Sequence, residues 1–282
     1  MKSNGILTLA IGKKYRKQAK YLAYSCILNS PSLPRAIITD DCDYFKELYD
    51  IVIKYDENMG NPFEVKLRLD LFTPFYETLF LDSDTLVYSD LRFFWENFRE
   101  NSFVYAGTRK STGIWYMDIS QILKKFNLSW IPTLNSGTFL FRKDKIGCET
   151  LNFAAYLYKN PEGIEIPYFR GKMLPDEPFL SIALAKNNQF PIEEKEDFGR
   201  LGRSLIDAAK VKINVVKGIS KFFKGDDLNF VIVVHFIGGF VGRYYYFIEK
   251  LRLKFYFYSL TDVFAPIFYG LEFIKRKIKN RR

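Results

Sequence analysis

Cysteine is scarce in this chain, and the few cysteines do not suggest a framework. The 282 residues include three, Cys26, Cys42 and Cys148, which are widely spaced and form no CxxC pair. The sequence therefore supports neither a disulfide scaffold nor a cysteine-based zinc site. Free thiols are typical of a reducing compartment, so we expect a cytoplasmic protein.

A secretion signal is also not recognisable in the first residues. The apolar stretch 6–11 is shorter than the hydrophobic region of a signal peptide, and the basic run 13–17 follows it instead of preceding it. We interpret residues 6–11 as the first strand of the fold. This strand lacks a glycine-rich phosphate loop, which argues against a sugar-nucleotide pyrophosphorylase.

Acidic residues are in deficit: 42 Lys and Arg stand against 32 Asp and Glu, for a net charge of +10. Such a charge favours acidic partners. Residues 244–282 hold nine of the basic residues and three of the acidic ones. Because no recognised nucleic-acid motif accompanies this charge, we expect no nucleic-acid partner. A pure binding module for membranes or nucleic acid remains the non-enzymatic alternative.

The segment 244–282 is rich in aromatic as well as basic residues. Its apolar part, 255–274, has nearly the length of a membrane span, but a central acid such as Asp262 makes insertion costly, by about 3 kcal/mol. We therefore predict peripheral attachment to an anionic membrane surface, on the inner face of a membrane. The alternative is a terminal helix packed on the preceding domain.

The order of strands and helices over residues 1–243 predicts an α/β domain with a doubly wound, mostly parallel sheet, similar to a Rossmann fold. The predicted strands are 6–11, 35–39, 51–53, 78–81, 103–106, 138–141 and 230–234. The predicted helices are 13–28, 64–72, 145–158 and 177–187.

Two carboxylates follow the apolar strand 78–81 directly. Asp82 and Asp84 alternate along an extended chain, so both point the same way, and open α/β sheets bind ligands at the carboxyl ends of their strands. A divalent cation held there would neutralise a diphosphate. The alternative is that the pair only caps a turn. For the second such triplet, Asp41-Cys42-Asp43, we favour that capping role, with Asp43 at the start of a helix.

The single histidine, His235, ends the strand predicted at 230–234 and precedes a glycine-rich turn. A lone histidine is more often a packing residue than a ligand. Its place at a strand end favours a third metal ligand. An imidazole beside two carboxylates suits Mn²⁺ better than a site of oxygen ligands alone would, and Mg²⁺ is the alternative metal.

With these motifs in this order, residues 5–240 resemble glycosyltransferase family 8, retaining enzymes of the GT-A fold that include glycogenin. The matching segments are Thr8-Leu9 with Tyr15, Lys66, Leu81 to Val87, Asn135-Ser136-Gly137, Asp176-Glu177 and Val234 to Gly238. The resemblance implies a sugar transfer from a nucleotide diphosphate sugar, a UDP-sugar by preference. Attachment of such an enzyme to a membrane suggests a glycan or lipid-linked acceptor.

The resemblance also implies roles for single residues. Asp82, Asp84 and His235 would bind the metal, and Asp176 and Glu177 would lie beside the transferred sugar as catalytic residues. The donor-binding residues would be Thr8, Ala10, Tyr15, Lys66, Ser83, Asn135, Ser136, Gly137, Gly238 and Arg243. Four of these residues have a simpler alternative: Tyr15 as a core aromatic, Lys66 as a solvated helix residue, Asn135 as a turn residue and Asp176 as a helix cap.

The sequence departs from the family pattern at two positions. The family often has a lysine for the diphosphate where this chain has Val241, and the nearest cation is Arg243. Glu177 stands where the family usually has glutamine, which leaves the identity of the donor sugar open.

An alternative enzyme class is the phosphatases of the haloacid dehalogenase type, whose nucleophile loop also reads D-x-D after an apolar strand. That pattern requires threonine four residues after the first aspartate, where this chain has Leu86. Gly225-Asp226-Asp227 resembles its later acidic motif, but its nucleophile opens the fold, whereas Asp82 follows three strands.

Overall fold

The computed structural model describes residues 2–167, 173–192, 201–237 and 240–258. Its strands are β1 (Lys2–Ala10), β2 (Arg35–Thr39), β3 (Ile51–Lys54), β4 (Phe75–Leu81), β5 (Thr85–Val87), β6 (Phe103–Lys110), β7 (Ile114–Trp115), β8 (Met117–Asp118), β9 (Ile131–Arg142), β10 (Gly202–Ser204), β11 (Ala208–Asn214), β12 (Ile219–Lys224), β13 (Asp227–Phe230) and β14 (Val233–His235). Its α-helices are α1 (Lys13–Asn29), α2 (Pro62–Lys66), α3 (Leu69–Phe72), α4 (Phe93–Asn97), α5 (Ile119–Phe126), α6 (Lys145–Lys159), α7 (Glu177–Lys186) and α8 (Phe240–Phe257).

The centre of the fold is a six-stranded sheet in the order β3-β2-β1-β4-β9-β6. Strands β3, β2, β1 and β4 are parallel, and β9 runs antiparallel to both of its neighbours. Leu7, Ile37 and Leu79 have no exposed surface, as expected for a parallel sheet that is covered on both faces. The predicted α/β class with a mainly parallel sheet is confirmed.

The end of β4 is fixed by its two neighbouring strands. The Thr8 hydroxyl of β1 donates to the Leu81 carbonyl at 2.6 Å. The Asp82 amide donates to the Gly137 carbonyl of β9 at 2.9 Å. The chain then turns, because the Asp82 carbonyl accepts from both the amide and the hydroxyl of Thr85, and β5 leaves the central sheet.

Strand β5 belongs to a second sheet, of order β10-β14-β5, in which Thr85 lies opposite His235. This pairing brings the late strand β14 to the carboxyl end of β4. The Phe236 amide also donates to the Asp84 carbonyl at 3.0 Å. The fold thereby places the turn 82–84 against the only histidine.

Two predicted elements differ from the structure. The helix predicted over 64–72 is two short helices, α2 and α3, interrupted between Lys66 and Leu69. The strand predicted over 230–234 is divided: β13 ends at Phe230 in an antiparallel sheet with β11 and β12, and β14 begins at Val233. A continuous apolar run does not reveal that the chain changes sheets within it.

Helix α8 crosses the boundary that the sequence predicts between residues 243 and 244. Its inner face buries Tyr246, Glu249 and Leu253, and the Phe257 ring stacks on Tyr24 of α1 with centroids 4.7 Å apart. The beginning of the predicted membrane segment therefore packs on the domain, whereas residues 259–282 lie outside the described residues. None of the described helices has both the length and the apolar character that a membrane crossing requires.

Candidate metal centre and active site

Three predicted metal ligands meet at the carboxyl end of β4. His235 Nε2 lies 2.9 Å from Asp84 Oδ1 and 3.8 Å from Asp82 Oδ2. One ligand atom from each of the three residues lies within 4.8 Å of the others. His235 is buried and both aspartates are partly exposed, so the cluster is open toward solvent on its carboxylate side.

The orientation of the His235 ring is set by the contacts of its Nδ1 atom. His235 Nδ1 lies 2.7 Å from Asn135 Oδ1, and Asn135 Nδ2 donates to Glu177 Oε1 at 3.2 Å. Because Glu177 fixes which end of the amide is the donor, Asn135 presents its oxygen to the ring. Nδ1 must then carry a hydrogen, which directs Nε2 toward the two aspartates.

Gly137 makes this arrangement possible. A Cβ atom at position 137 would lie 2.3 Å from His235 Nδ1, far inside the contact distance of two atoms. The segment Asn135-Ser136-Gly137 therefore supplies the ring with its hydrogen-bond acceptor and with the space that it occupies. The alternative of a simple turn for Asn135 is excluded, because all three residues belong to β9.

A buried lysine links the metal ligands to the second predicted acidic pair. Lys66 Nζ donates to Asp82 Oδ1 at 2.9 Å and to Ser136 Oγ at 3.0 Å, and lies 3.3 Å from Asp176 Oδ2. The Ser136 hydroxyl donates to the same Asp176 oxygen at 2.7 Å. Lys66 is 6% exposed, so it is not a solvated helix residue. The Asp176 side chain makes no capping hydrogen bond to α7.

Glu177 is held by three donors. Its Oε1 accepts from the Ser136 amide at 3.1 Å and from Asn135, and its Oε2 accepts from the Tyr116 hydroxyl at 2.8 Å. Tyr116 lies between the two-residue strands β7 and β8, with φ of 53°. No sequence motif marks it, because this hairpin is too short to show strand periodicity. With every oxygen engaged, Glu177 has the contacts of a positioning residue.

The charges of the cluster influence one another strongly. Burial lowers the pKa of His235, but the carboxylates of Asp84 and Asp82 together outweigh it, and the pKa is raised above its ordinary value. Burial also lowers the pKa of Lys66, yet Asp176 and Asp82 raise it overall. The pKa of Asp82 is raised by burial, despite Lys66 and His235. Burial raises the pKa of Asp84, but His235 lowers it, and the pKa lies below its usual range.

The composition of the cluster suits a divalent cation. Its carboxylates belong to Asp82, Asp84, Asp176 and Glu177, and its cationic groups are Lys66 and His235. Negative charge is in excess, and buried carboxylates require compensation by cations or metals. Two carboxylate oxygens with one imidazole nitrogen form a set that Mn²⁺ accepts. The residues present therefore fit the metal that the sequence implies.

The remaining donor-site predictions are placed as follows. Thr8 and Ala10 have no exposed surface, and Ser83 is 4% exposed. Tyr15, in the first turn of α1, is 42% exposed, so it is not a core aromatic. Arg243 is exposed near the start of α8, whereas Gly238 lies outside the described residues. The donor roles of these residues remain predictions.

The second D-x-D triplet has local partners. Asp41 Oδ1 accepts from the Tyr44 amide at 3.3 Å, and Asp43 forms an ion pair with Lys46 at 2.5 Å. Asp43 is not the N-cap that the sequence predicts, because it already lies inside the short 3₁₀ turn 43–45, and the N-cap position is Cys42. Within the described residues, neither aspartate joins a group of potential metal ligands.

Sequence comparison with protein-family models and with curated proteins gives no match. Solved structures do match. The galactosyltransferase LgtC, in complex with donor and acceptor sugar analogs, is 15% identical with a TM-score of 0.55, and the match covers 83% of this chain and 87% of LgtC. The bifunctional glycosyltransferase WbbM is 11% identical with a TM-score of 0.54 over 84% of this chain.

A third match is the glycosyltransferase GlyE from Streptococcus pneumoniae TIGR4, 19% identical over 70% of this chain with a TM-score of 0.48. This chain spans 46% of the GlyE chain and 46% of the WbbM chain. The likeness to LgtC and WbbM confirms the predicted GT-A fold. Identities this low establish the fold alone, so the activity has to be argued from the site.

Proposed function

We propose that this chain is a metal-dependent glycosyltransferase. It would move a hexose or a related sugar from a nucleotide diphosphate sugar, preferably a UDP-sugar, to a glycan or lipid-linked acceptor with retention of configuration. The observation that carries the proposal is the convergence of Asp82, Asp84 and His235 at the rim of a GT-A sheet. A phosphate-binding metal and the acidic pair of the buried Asp176 and the partly buried Glu177 would then lie side by side.

Asp82 is the residue that joins the two halves of the proposed site. Lys66 Nζ donates to both Asp82 oxygens, to Oδ1 at 2.9 Å and to Oδ2 at 3.1 Å, and Oδ2 also lies 3.8 Å from His235 Nε2. Mn²⁺ or Mg²⁺ bound by Asp82, Asp84 and His235 would supply Lewis-acid stabilisation of a departing diphosphate. Lys66 keeps Asp82 in the orientation that such a metal requires, and adds positive charge beside the leaving group.

Asp176 is the carboxylate that we assign to the transferred sugar. Lys66 and Ser136 hold the same oxygen of Asp176, Oδ2, so the direction of the carboxylate is set before a substrate binds. A fixed negative charge stabilises the positive charge that develops at an anomeric carbon during transfer. Glu177 supports this geometry by positioning Asn135 and Ser136.

The phosphatase alternative has weaker support. The matching solved structures named above are glycosyltransferases. Gly225 and Asp226 form the exposed turn between β12 and β13, and Asp227 is the exposed first residue of β13. Hydrolysis of a simple phosphomonoester by the purified chain, without activity on nucleotide sugars, would favour the phosphatase.

The test is a panel of nucleotide sugars with and without Mn²⁺. We expect one donor to raise the melting temperature in a Mn²⁺-dependent manner, because a ligand of the native state stabilises it. The double variant Asp82→Asn and Asp84→Asn should lose this response and all metal-dependent transfer. The matched control is Asp41→Asn with Asp43→Asn. Wild-type turnover by the Asp82/Asp84 variant would contradict the proposal.

We also propose that the C-terminal segment attaches the enzyme to the cytoplasmic face of an anionic membrane. Support comes from residues 275–282, six of which are lysine or arginine. Because α8 itself packs on α1, the appropriate truncation removes residues 259–282 only. Loss of binding to vesicles with phosphatidylserine, and unchanged weak binding to phosphatidylcholine vesicles, is expected. Equal vesicle binding before and after truncation would contradict attachment by this segment.

A further inference from the structure

Strands β11, β12 and β13 form an antiparallel meander apart from the central sheet. One of its faces belongs to the core, since Ile213, Ser220, Phe222 and Asn229 are at most 7% exposed. The residues that alternate with them are exposed or half-buried, as is common for an antiparallel sheet packed on one side. We call this second side the outer face of the meander. Its members are Ala209, Lys212, Lys221, Phe223, Leu228 and Phe230.

Two lysines of the outer face lie directly opposite each other. Lys212 of β11 is paired with Lys221 of β12, and like charges in such a position destabilise a sheet. Among the described residues, neither lysine forms an ion pair with a carboxylate. The outer face itself contains no aspartate or glutamate. An anion from outside the chain would therefore relieve a repulsion as well as add an attraction.

The outer face is apolar as well as cationic. Phe230 is 56% exposed and Leu228 is 41% exposed, and Leu228 lies opposite Phe223. Burial of such side chains is favourable wherever a partner removes them from water. Binding to a membrane interface combines the two contributions, because apolar groups enter the headgroup boundary while lysines meet anionic lipids.

The contacts of the two phenylalanine rings favour a bilayer over nucleic acid. Lys210 Nζ lies over the Phe223 ring, 5.2 Å from its centroid, and Lys221 Nζ lies over the Phe230 ring at 5.3 Å. Single-stranded nucleic acid stacks its bases on ring faces, and here a lysine already occupies a face of each ring. Insertion of the ring edges between lipid headgroups leaves both lysine contacts in place.

We propose that the outer face of the meander docks the catalytic domain on an anionic bilayer. It would be a second contact beside residues 259–282, and the inference rests on the membrane attachment proposed for them. A single interfacial contact gives marginal binding, whereas two give stable binding. Lys224, at the end of β12, lies 3.4 Å from Ser204, which is opposite His235. Docking would thus hold the metal centre near a lipid-linked acceptor.

Insertion of the outer face is tested by fluorescence on the full chain. Phe230→Trp adds a fluorophore there, and Leu71→Trp is the matched control, because Leu71 is 54% exposed on α3, outside the meander. The vesicles contain phosphatidylserine and a phosphatidylcholine with brominated acyl chains, which quench tryptophan. We expect more quenching than in the wild type for Phe230→Trp and no increase for Leu71→Trp. Equal quenching of the two variants would overturn the proposal.

Binding to the same lipids, without bromine, tests the charge. Lys212→Gln with Lys221→Gln should weaken binding at least about tenfold at low salt, and less at high salt because the charges are screened. Lys212→Arg with Lys221→Arg keeps the charge and should bind like the wild type. Lys54→Gln with Lys186→Gln removes the same charge from exposed positions elsewhere and should also bind like the wild type.

Three results of this binding series would overturn the proposal. They are an unchanged glutamine variant of Lys212 and Lys221, an equal loss in the arginine variant, and an equal loss in the Lys54/Lys186 control. Binding of a single-stranded oligonucleotide that depends on Lys212 and Lys221, with vesicle binding unchanged, would assign the outer face to nucleic acid instead.

Truncation of residues 259–282 separates the two membrane contacts. If truncation abolishes vesicle binding while the glutamine variant of Lys212 and Lys221 binds like the wild type, the meander contact fails alone. If truncation changes nothing and the glutamine variant loses binding, the C-terminal contact fails and the meander is the attachment site. The melting-temperature response to UDP with Mn²⁺ reports the transferase site separately, and it should be the same in all these variants.

Discussion

Two buried polar clusters in this molecule differ in how completely their charges are satisfied. At α8, the fully buried Glu249 accepts hydrogen bonds from the Tyr88 hydroxyl, the Val215 amide and Arg252. At the rim of β4, by contrast, several carboxylates share one lysine and one histidine. A closed cluster stabilises a fold, whereas a cluster with excess charge is prepared for a cation. Mutations should therefore affect stability at the first and activity at the second.

The largest effect should follow removal of the imidazole from the rim cluster. For His235→Ala we expect metal-dependent transfer per folded molecule to fall at least about 100-fold, since one metal ligand is lost. The melting temperature should fall as well, because the buried ring leaves a cavity and an unpaired Asn135 oxygen. Initial rates over a Mn²⁺ series, corrected for the folded fraction from thermal unfolding, measure the first effect. Wild-type transfer per folded molecule would show that His235 is only structural.

The largest effect on stability should come from the closed cluster. Glu249→Ala leaves the Tyr88 hydroxyl and the Val215 amide without their acceptor, and we expect a loss of about 3 kcal/mol in the free energy of unfolding. Urea denaturation measures it, with the exposed Glu100→Ala as control. Transfer activity per folded molecule should stay near that of the wild type. A selective loss of activity would remove the distinction between the clusters.

Glu177 tests whether positioning behind the metal ligands matters. Glu177→Ala frees Asn135 and thus the His235 ring, so we expect the Mn²⁺ concentration for half-maximal activity to rise about 10- to 100-fold. Glu177→Gln retains an acceptor for Asn135 and Ser136, so it should raise the Mn²⁺ concentration for half-maximal activity by only a few-fold. If the alanine variant lost activity at every Mn²⁺ concentration with an unchanged midpoint, Glu177 would instead act on the sugar.

The pH dependence of stability should be a smaller effect. Burial raises the pKa of Glu249 above its ordinary value of 4.5, so the folded state retains a proton that the unfolded state releases. Stability should then decrease as pH rises from about 4.5 through the raised pKa. Melting temperatures of the wild type should fall relative to those of Glu249→Gln across this interval. Parallel curves for the two proteins would contradict the direction of this shift.

The smallest effect is expected at the second D-x-D triplet. Asp41→Asn with Asp43→Asn should leave transfer within about twofold of the wild type and cost less than about 1 kcal/mol, because exposed caps and ion pairs contribute little. The same assays apply. A large loss of activity would mean that this triplet belongs to the site after all.

The sequence was sufficient for the parts of the site that adjoin strands. Asp82 and Asp84 were predictable because an apolar run ends directly before them, and His235 because it ends another. The contacts between them were not, since they depend on the pairing of β5 with β14. Tyr116 left no signal, because its contact with Glu177 arises from a two-residue hairpin strand on each side.

In the fold, too, single strands and helices were predictable from the sequence, whereas the sheet that a short strand joins was not. The parallel strands β1 to β4 follow from their apolar runs, and the helices α1, α6 and α7 from their spacing and flanking residues. The division of residues 227–235 into two strands of different sheets was not predictable, because Val231 and Ile232 continue the apolar pattern. Which sheet a short strand joins is decided by tertiary packing.

The side-chain contact between Asp84 and His235 joins segments that lie 151 residues apart in the chain. A cation bound between them would link the early half of the protein to a strand that is synthesised much later. Closing so long a loop costs conformational entropy, which only the contacts of the completed fold offset. Occupancy of the metal site would thus depend on complete folding. Translation products that end before residue 235 would lack this link and one of the three metal ligands.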